Sequence, residues 1–257
     1  MISPAVIILL LAIFGACIGS FLNVCIFRMP RGESLAWPGS RCTSCGRALS
    51  WYENIPVVSW VVLRGRCRTC RAPVSWMYPT VEVLAALVFV SAYSLYGLTL
   101  LGAVRALFAC ALIVLFVTDL QHKVLPNAIT LPGIVVGFLV SLVLPPGWHD
   151  SLIGILVGGG TLFAIAEAYY RLRGQEGLGM GDVKLLGMIG AFLGWKLVLL
   201  TLVLASFAGS VVGGAFIMSG RGNMQYALPF GTFLSVGALV AAIWGTPIVD
   251  WYFGFYG

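Results

Sequence analysis

Long apolar runs alternate along the chain with short polar interruptions, and the runs are too long for strands. Residues 4–27 form the first, closed by Arg28 and Pro30. Further runs cover about 79–97, 99–118, 127–145 and 152–170. The stretch 183–218 exceeds one membrane crossing, and Trp195-Lys196 is expected to split it into a short helix and a full one. Residues 229–250 form the last run. The pattern predicts an all-α polytopic membrane protein with about eight transmembrane helices, or seven if the short one is re-entrant. The first run has no basic start and no small-residue cleavage site after it, so it reads as an uncleaved anchor. Gly15 and Gly19 lie on one face of it, the spacing that lets two helices approach closely.

One region departs from this pattern. Residues 28–78 are polar, and at about 50 residues they can bury little core, so they need a staple. The division expected is therefore a first helix over 1–27, a loop domain over 28–78 and a membrane core over 79–257. No internal repeat and no low-complexity segment stands out.

Composition agrees: 60% of the 257 residues are hydrophobic and 9% charged, with a mean hydropathy of +1.00. A soluble globular domain, a disordered chain and a nucleic-acid-binding protein built on a basic surface are excluded. Between Arg28 and Arg71 stand eight arginines and two glutamates, so this block carries the whole net charge of +6. Such a block is first an orientation signal. It places the loop in the cytoplasm and the N-terminus outside, and Lys123, Arg171, Arg173 and Arg221 then also fall inside.

Carboxylates in or beside membrane helices are costly and call for a reason. Glu167 stands four residues before Arg171, an ordinary helical ion pair. Glu82 lies near a helix start, where the helix dipole favours an anion. Asp119 and Asp182 differ. Each falls at a cytoplasmic helix end, on separate helices at similar depth. Two facing carboxylates share a proton, so one can act as base on a water while the other polarises a peptide carbonyl. The plainer alternative is that each caps a helix, Asp182 as an N-cap. Gly179-Met180-Gly181-Asp182 favours the pair, because two glycines let an extended peptide lie close to Asp182. His122, three residues after Asp119, is an interfacial residue or faces it.

Four of the seven cysteines form two matched pairs, Cys42-x-x-Cys45 and Cys67-x-x-Cys70, with 21 residues between them. That is the pattern of a closed, structural four-thiolate zinc site. Two disulfides are the alternative, disfavoured in a reducing cytoplasm. Cys17, Cys25 and Cys110 read as buried apolar residues.

The chain resembles the bacterial prepilin peptidases, bifunctional enzymes of type IV pilus and type II secretion systems. The resemblance rests on an ordered set: Gly19-Ser20-Phe21-Leu22-Asn23-Val24, Asn54-Ile55-Pro56 with Ser59-Trp60, and Arg64-Gly65-Arg66-Cys67. It continues through Tyr78-Pro79 with Glu82, Asp119 to Pro126, Glu176 to Lys184, and Pro229-Phe230-Gly231. It implies that Asp119 and Asp182 are the catalytic aspartates of a GxGD-type membrane protease, with Gly179, Gly181 and Lys184 supporting the site. It implies prepilin and pseudopilin substrates, and no nucleic-acid partner. A short basic cytoplasmic leader precedes the cut and an apolar helix in the lipid bilayer follows it. The new N-terminal amine is then methylated with S-adenosylmethionine. No strand–glycine-loop–helix unit marks a site for that donor, and by position Gly65 and Arg66 are the candidates. The implied location is the bacterial inner membrane. Met77 stands where the family has a basic residue, and Asn127 where it often has Asp. The rival readings are a transporter using Asp119 and Asp182 as ion sites, and a membrane-anchored zinc scaffold.

Overall fold

A computed structural model describes residues 3–174, 179–219 and 228–254. Glu176, one of the positions in the resemblance, lies outside them, as does Arg221. Nine helices occur among the described residues: α1 (Pro4–Arg28), α2 (Val58–Val62), α3 (Met77–Tyr96), α4 (Leu100–His122), α5 (Asn127–Ser141), α6 (Trp148–Arg173), α7 (Met180–Leu193), α8 (Trp195–Met218) and α9 (Phe230–Gly254). Strand pairing among these residues is limited to two isolated bridges. All eight expected apolar helices form, in the expected order. Six are long and apolar enough to cross a membrane. α5 and α7, with 15 and 14 residues, rise only about 21–23 Å, short of a bilayer's hydrocarbon core.

The helix ends follow local chemistry. Ser3 accepts the Val6 amide and Pro4 fills the first position of α1, where a missing N–H costs nothing. The long run 183–218 breaks at Gly194, one residue before the expected Trp195. Its φ of +81° is a conformation few side chains tolerate.

The chain divides into two compact units, Met1–Val114 and Leu115–Gly257. In the first, α1 packs along α3. A Cβ at Gly15 would sit 2.7 Å from Ala86 Cα, and one at Gly19 2.5 Å from Glu82 Cα, so the predicted small-residue face is the contact. Asn23 Nδ2 donates to the Tyr78 carbonyl at 3.0 Å across the same seam. Arg28, buried at the end of α1, donates to the Ser34 carbonyl at 2.9 Å and the Pro38 carbonyl at 2.6 Å, which folds residues 34–39 back over the helix end.

Glu82 does more than answer a helix dipole. It is buried, and its Oε2 accepts the Val57 amide at 2.7 Å. Val57 has φ +60°, and the Val58 amide donates to the Pro56 carbonyl at 2.5 Å, a tight γ-turn that is strained for a β-branched residue. Glu82 thus ties the loop to α3 at its most strained point. Glu167 keeps its expected partner, Arg171, at 2.7 Å. Cys25 and Cys110 are buried as expected, but Cys17 is exposed on α1. Lipid accepts a small apolar side chain as readily as a core does, so composition cannot tell the two faces apart.

In the second unit α7 is the central helix, packed by α5, α6, α8 and α9. Its contact with α6 is backbone on backbone. A Cβ at Gly190 would lie 2.1 Å from the Gly154 carbonyl oxygen, and one at Gly154 2.4 Å from the Gly190 oxygen. Ser151 Oγ donates to the Ala191 carbonyl at 2.8 Å beside it. Gly190→Ala should therefore destabilise the protein although alanine is the better helix former: overpacking at such a contact costs about 1–3 kcal/mol, against a helix-propensity gain of about 0.5–1 kcal/mol. Thermal unfolding in detergent measures this, and an unchanged or higher Tm would refute the contact.

Candidate functional site

Three helix ends build the carboxylate site: the last turn of α4, which carries Asp119, and the first turns of α7 and α9. Asp119 and Asp182 are 5% and 8% exposed. Asp182 is not the N-cap of α7. That position is Gly179, whose carbonyl accepts the Asp182 amide at 3.0 Å. The first amides of any helix lack partners within it, and those of α9 find one in Asp119. Asp119 Oδ2 accepts the Thr232 amide at 2.7 Å and the Thr232 hydroxyl at 3.1 Å. The Asp119 and Asp182 carboxylates are near enough to act on each other electrostatically, and the Gly231 backbone lies close to both. Lys123, one turn beyond, adds its charge near Asp119.

Small residues make room here. A Cβ at Gly231 would sit 3.1 Å from Asp119 Oδ2 and 2.9 Å from Leu125, and one at Gly181 3.1 Å from Leu125. Gly179 lies beside Asp182 Oδ2, 3.5 Å from where its Cβ would stand. Lys184 donates to Asn127 Oδ1 at 3.0 Å, joining the start of α7 to the start of α5. His122 is exposed. Gly231 and Thr232 are the site residues that sequence reasoning missed. They do not titrate, and the one available signal was Pro229-Phe230-Gly231 at the head of an apolar helix.

The cysteine block builds a second site, in the first unit. All four Sγ atoms lie within 4.8 Å of one another, and Cys42 and Cys70 are 3.8 Å apart. Four thiolates at about 2.3 Å from one ion stand about 3.8 Å apart at tetrahedral corners, whereas a disulfide needs about 2.05 Å. The four are free thiols, and their spacing is that of ligands.

The two cysteine pairs have the same local fold. Cys42 N–H donates to the Arg47 carbonyl at 2.9 Å and Gly46 N–H to the Cys42 carbonyl at 2.9 Å. Cys67 N–H donates to Ala72 at 2.8 Å and Arg71 N–H to Cys67 at 3.0 Å. Bridges Arg41–Ala48 and Arg66–Pro73 close each turn. Gly46 and Arg71 hold the same place, with φ +72° and +61°. Residues 41–51 and 66–76 share Arg-Cys-x-x-Cys followed five residues on by Ser-Trp. The loop therefore contains an internal repeat where none is expected, its unit too short to stand out along the chain.

In each pair the first thiol receives backbone N–H groups. The Cys70 and Thr69 amides bring Cys67 down to about 6, and the Cys45 and Ser44 amides lower Cys42. For Cys70 the Ala72 amide pulls down, but burial and hydrogen bonds with Cys67, Cys45 and Cys42 outweigh it and push the thiol up to about 11. Arg47 pairs with Glu53 at 2.6 Å, which holds that carboxyl below the usual range, and its charge also acts on Cys67. Of the two methyl-donor candidates, Gly65 is buried with a would-be Cβ 2.8 Å from the Trp60 ring, and Arg66 is exposed.

Fold and carboxylate site together describe a polytopic helical membrane protein that joins two buried aspartates near helix ends. Residues 13–96 match the model of the bacterial peptidase A24 N-terminal domain, and residues 106–214 that of the type IV leader peptidase family. The proteins named prepilin leader peptidase/N-methyltransferase from Pseudomonas putida and Aeromonas hydrophila are 34% and 35% identical to the chain. Each match covers 95% of this chain, and 93% and 92% of the respective relative. A protein of the same name from Myxococcus xanthus is 41% identical over 79% of this chain, a match that spans 61% of that relative. No solved structure matches. The chain belongs to the prepilin leader peptidase/N-methyltransferase family.

The thiolate geometry makes its own prediction. The purified protein should carry about one divalent ion per chain, and Cys42→Ser or Cys67→Ser should bring it near zero. Protons compete for thiolates, so retention against a chelator should weaken as pH falls. Elemental analysis across pH decides, and metal-free protein with four titratable loop thiols refutes the site.

Proposed function

We propose that Asp119 and Asp182 form the peptide-cleaving dyad of this prepilin leader peptidase/N-methyltransferase. The observation that carries the reading is the placement of two buried carboxylates, near enough to act on each other, where the first turns of α7 and α9 meet on Leu125 through Gly181 and Gly231. Thr232 holds Asp119 Oδ2 with two hydrogen bonds, which fixes the carboxylate in place to take a proton from the attacking water. Asp182 then donates the shared proton to the scissile carbonyl, and proton return to the leaving nitrogen breaks the bond. Gly179 and Gly181 keep side chains away from the space beside Asp182, where an extended peptide must lie. Lys184 steadies the first turn of α7 through Asn127.

Substrates on this reading are prepilins and pseudopilins, cut where a basic cytoplasmic leader meets an apolar helix in the bilayer. The arginine-rich loop sets the orientation: loop and dyad on the cytoplasmic side of the inner membrane, N-terminus outside. Zinc is the ion that suits four thiolates, and with no open coordination position its role is structural. S-adenosylmethionine supplies the methyl group for the new N-terminal amine. Gly65 and Arg66 remain its candidate contacts. Gly65 packs on Trp60, which with Trp76, Pro79 and Thr80 lines an open groove of about 390 Å³. Aromatic faces there suit both an adenine and a sulfonium cation. Membership in a peptidase family lends nothing to the transporter reading, and a scaffold would leave the aspartates unexplained.

Asp119→Asn and Asp182→Asn should each lower leader removal from a purified prepilin by about 10²–10⁴-fold, since Asn cannot exchange the proton. Mass spectrometry of the product, with Tm and metal content of the variants unchanged, tests this; full cleavage by either variant would end the aspartyl mechanism. Both variants should still methylate a pre-cut pilin that presents a free N-terminal amine. Loss of methylation in both, with folding intact, would mean that one site serves both reactions.

A further inference from the structure

The strongest unassigned feature of the second unit is a groove of about 430 Å³ between α8 and α9, with Phe116 of α4 at its side. It is lined by Leu204, Phe207, Ala208, Phe233 and Val236, with buried Gly237 at its floor. One of its lining residues is Thr232, the residue that holds Asp119. α8 and α9 run antiparallel here, with Gly209 beside Phe233 and Gly237 against the Thr201 carbonyl. From Thr232 the groove follows α9 to Val240, about 12 Å or two helical turns.

We propose that this groove receives the apolar helix of the prepilin substrate, the segment that follows the scissile bond. The proposal rests on the peptidase reading above and adds where the substrate's membrane-embedded part is held. Three observations carry it. The groove and the dyad share Thr232, so a helix lying in the groove begins at Asp119. The lining is apolar throughout apart from Thr232, which suits a hydrophobic helix and rejects a basic leader. Its lining sets small residues, Ala208 and buried Gly237, among aromatic ones, of which Phe207 is 71% exposed. In lipid, helices associate by close packing, and the small residues let the incoming backbone approach. The aromatic side chains then cover it, in the manner of an apolar helix seated in a groove by regularly spaced contacts. Length fits as well. Two turns guide the start of a spanning helix, after which it continues into lipid, and the extended residues before it reach the glycines beside Asp182. The leader is left outside the groove, on the side of the basic loop connections.

Two substrates and two variants test this in purified, detergent-solubilised protein. One substrate is a full-length prepilin, and the other a short peptide that spans the scissile bond without the apolar helix. Ala208→Trp fills the groove and Phe207→Ala removes part of its lining. Each should lower kcat/KM for the prepilin about tenfold relative to the short peptide, mostly through KM. A photo-crosslinking benzoylphenylalanine at position 207 should attach to the prepilin's apolar segment, while one at position 156, exposed on α6, should not. Equal losses on both substrates, no loss on either, or crosslinks from position 156 as strong as from 207 would overturn the groove. If the unaltered protein cleaves neither substrate, the peptidase reading fails and the groove proposal with it. Cleavage of both with no crosslink at 207 overturns the groove alone.

Discussion

In a bilayer, apolar helices gain nothing by hiding from their surroundings, so the second unit depends on how closely its backbones can approach. Gly154 and Gly190 set that limit. They press α6 onto α7, and α7 carries Asp182 at its head while packing against α5, α8 and α9. Lipid-facing residues are free to be any apolar type. The contact positions are not: at Gly15, Gly19, Gly154 and Gly190 even a methyl group would meet backbone. These four glycines are therefore fixed by packing, at the points where two backbones touch.

Most helix boundaries were legible because each stop has a local cause: proline after Arg28, prolines after α5, and a run over 183–218 too long to be one span, whose break is expected at Trp195 and falls at Gly194. The aspartate pair was legible because the carboxylates are few and Gly179-Met180-Gly181 precedes one of them. The two short helices were visible as apolar runs, but their true lengths were not, since loop and helix ends share the same residue types. The partners of Asp119 stayed hidden. Thr232 is 113 positions away and meets Asp119 only once α9 has formed. The acceptor role of Glu82 is not visible in the sequence because it needs the Val57 amide, 25 residues upstream and shaped by a turn that no propensity favours. The repeat within the loop escaped because only its cysteines, an arginine and a Ser-Trp recur.

Asp119 also shows how a group can serve structure and chemistry with different atoms. One oxygen completes the unpaired amides at the head of α9, a role usually taken by a neighbouring serine or aspartate of the same helix. On the cleavage reading the chemistry falls to the other. Chain segments far apart in sequence are thereby joined by the same carboxylate that the cleavage reading needs, so its orientation is set by a helix rather than by a rotamer preference.

The paired cysteine turns bear on the rest of the loop. A small domain ordinarily earns its stability by putting its aromatic and branched residues inside. Here a cluster of sulfurs brings residues 42–45 to 67–70, and an ion held among them would close the segment between into a ring whose ends cannot separate. Trp51 at 79%, Trp76 at 71% and Val62 at 72% exposure can then stay outside without costing the loop its shape. Cross-linking at the base leaves the apolar side chains as an unspent contact surface, in a region that would otherwise have had to swallow them to fold.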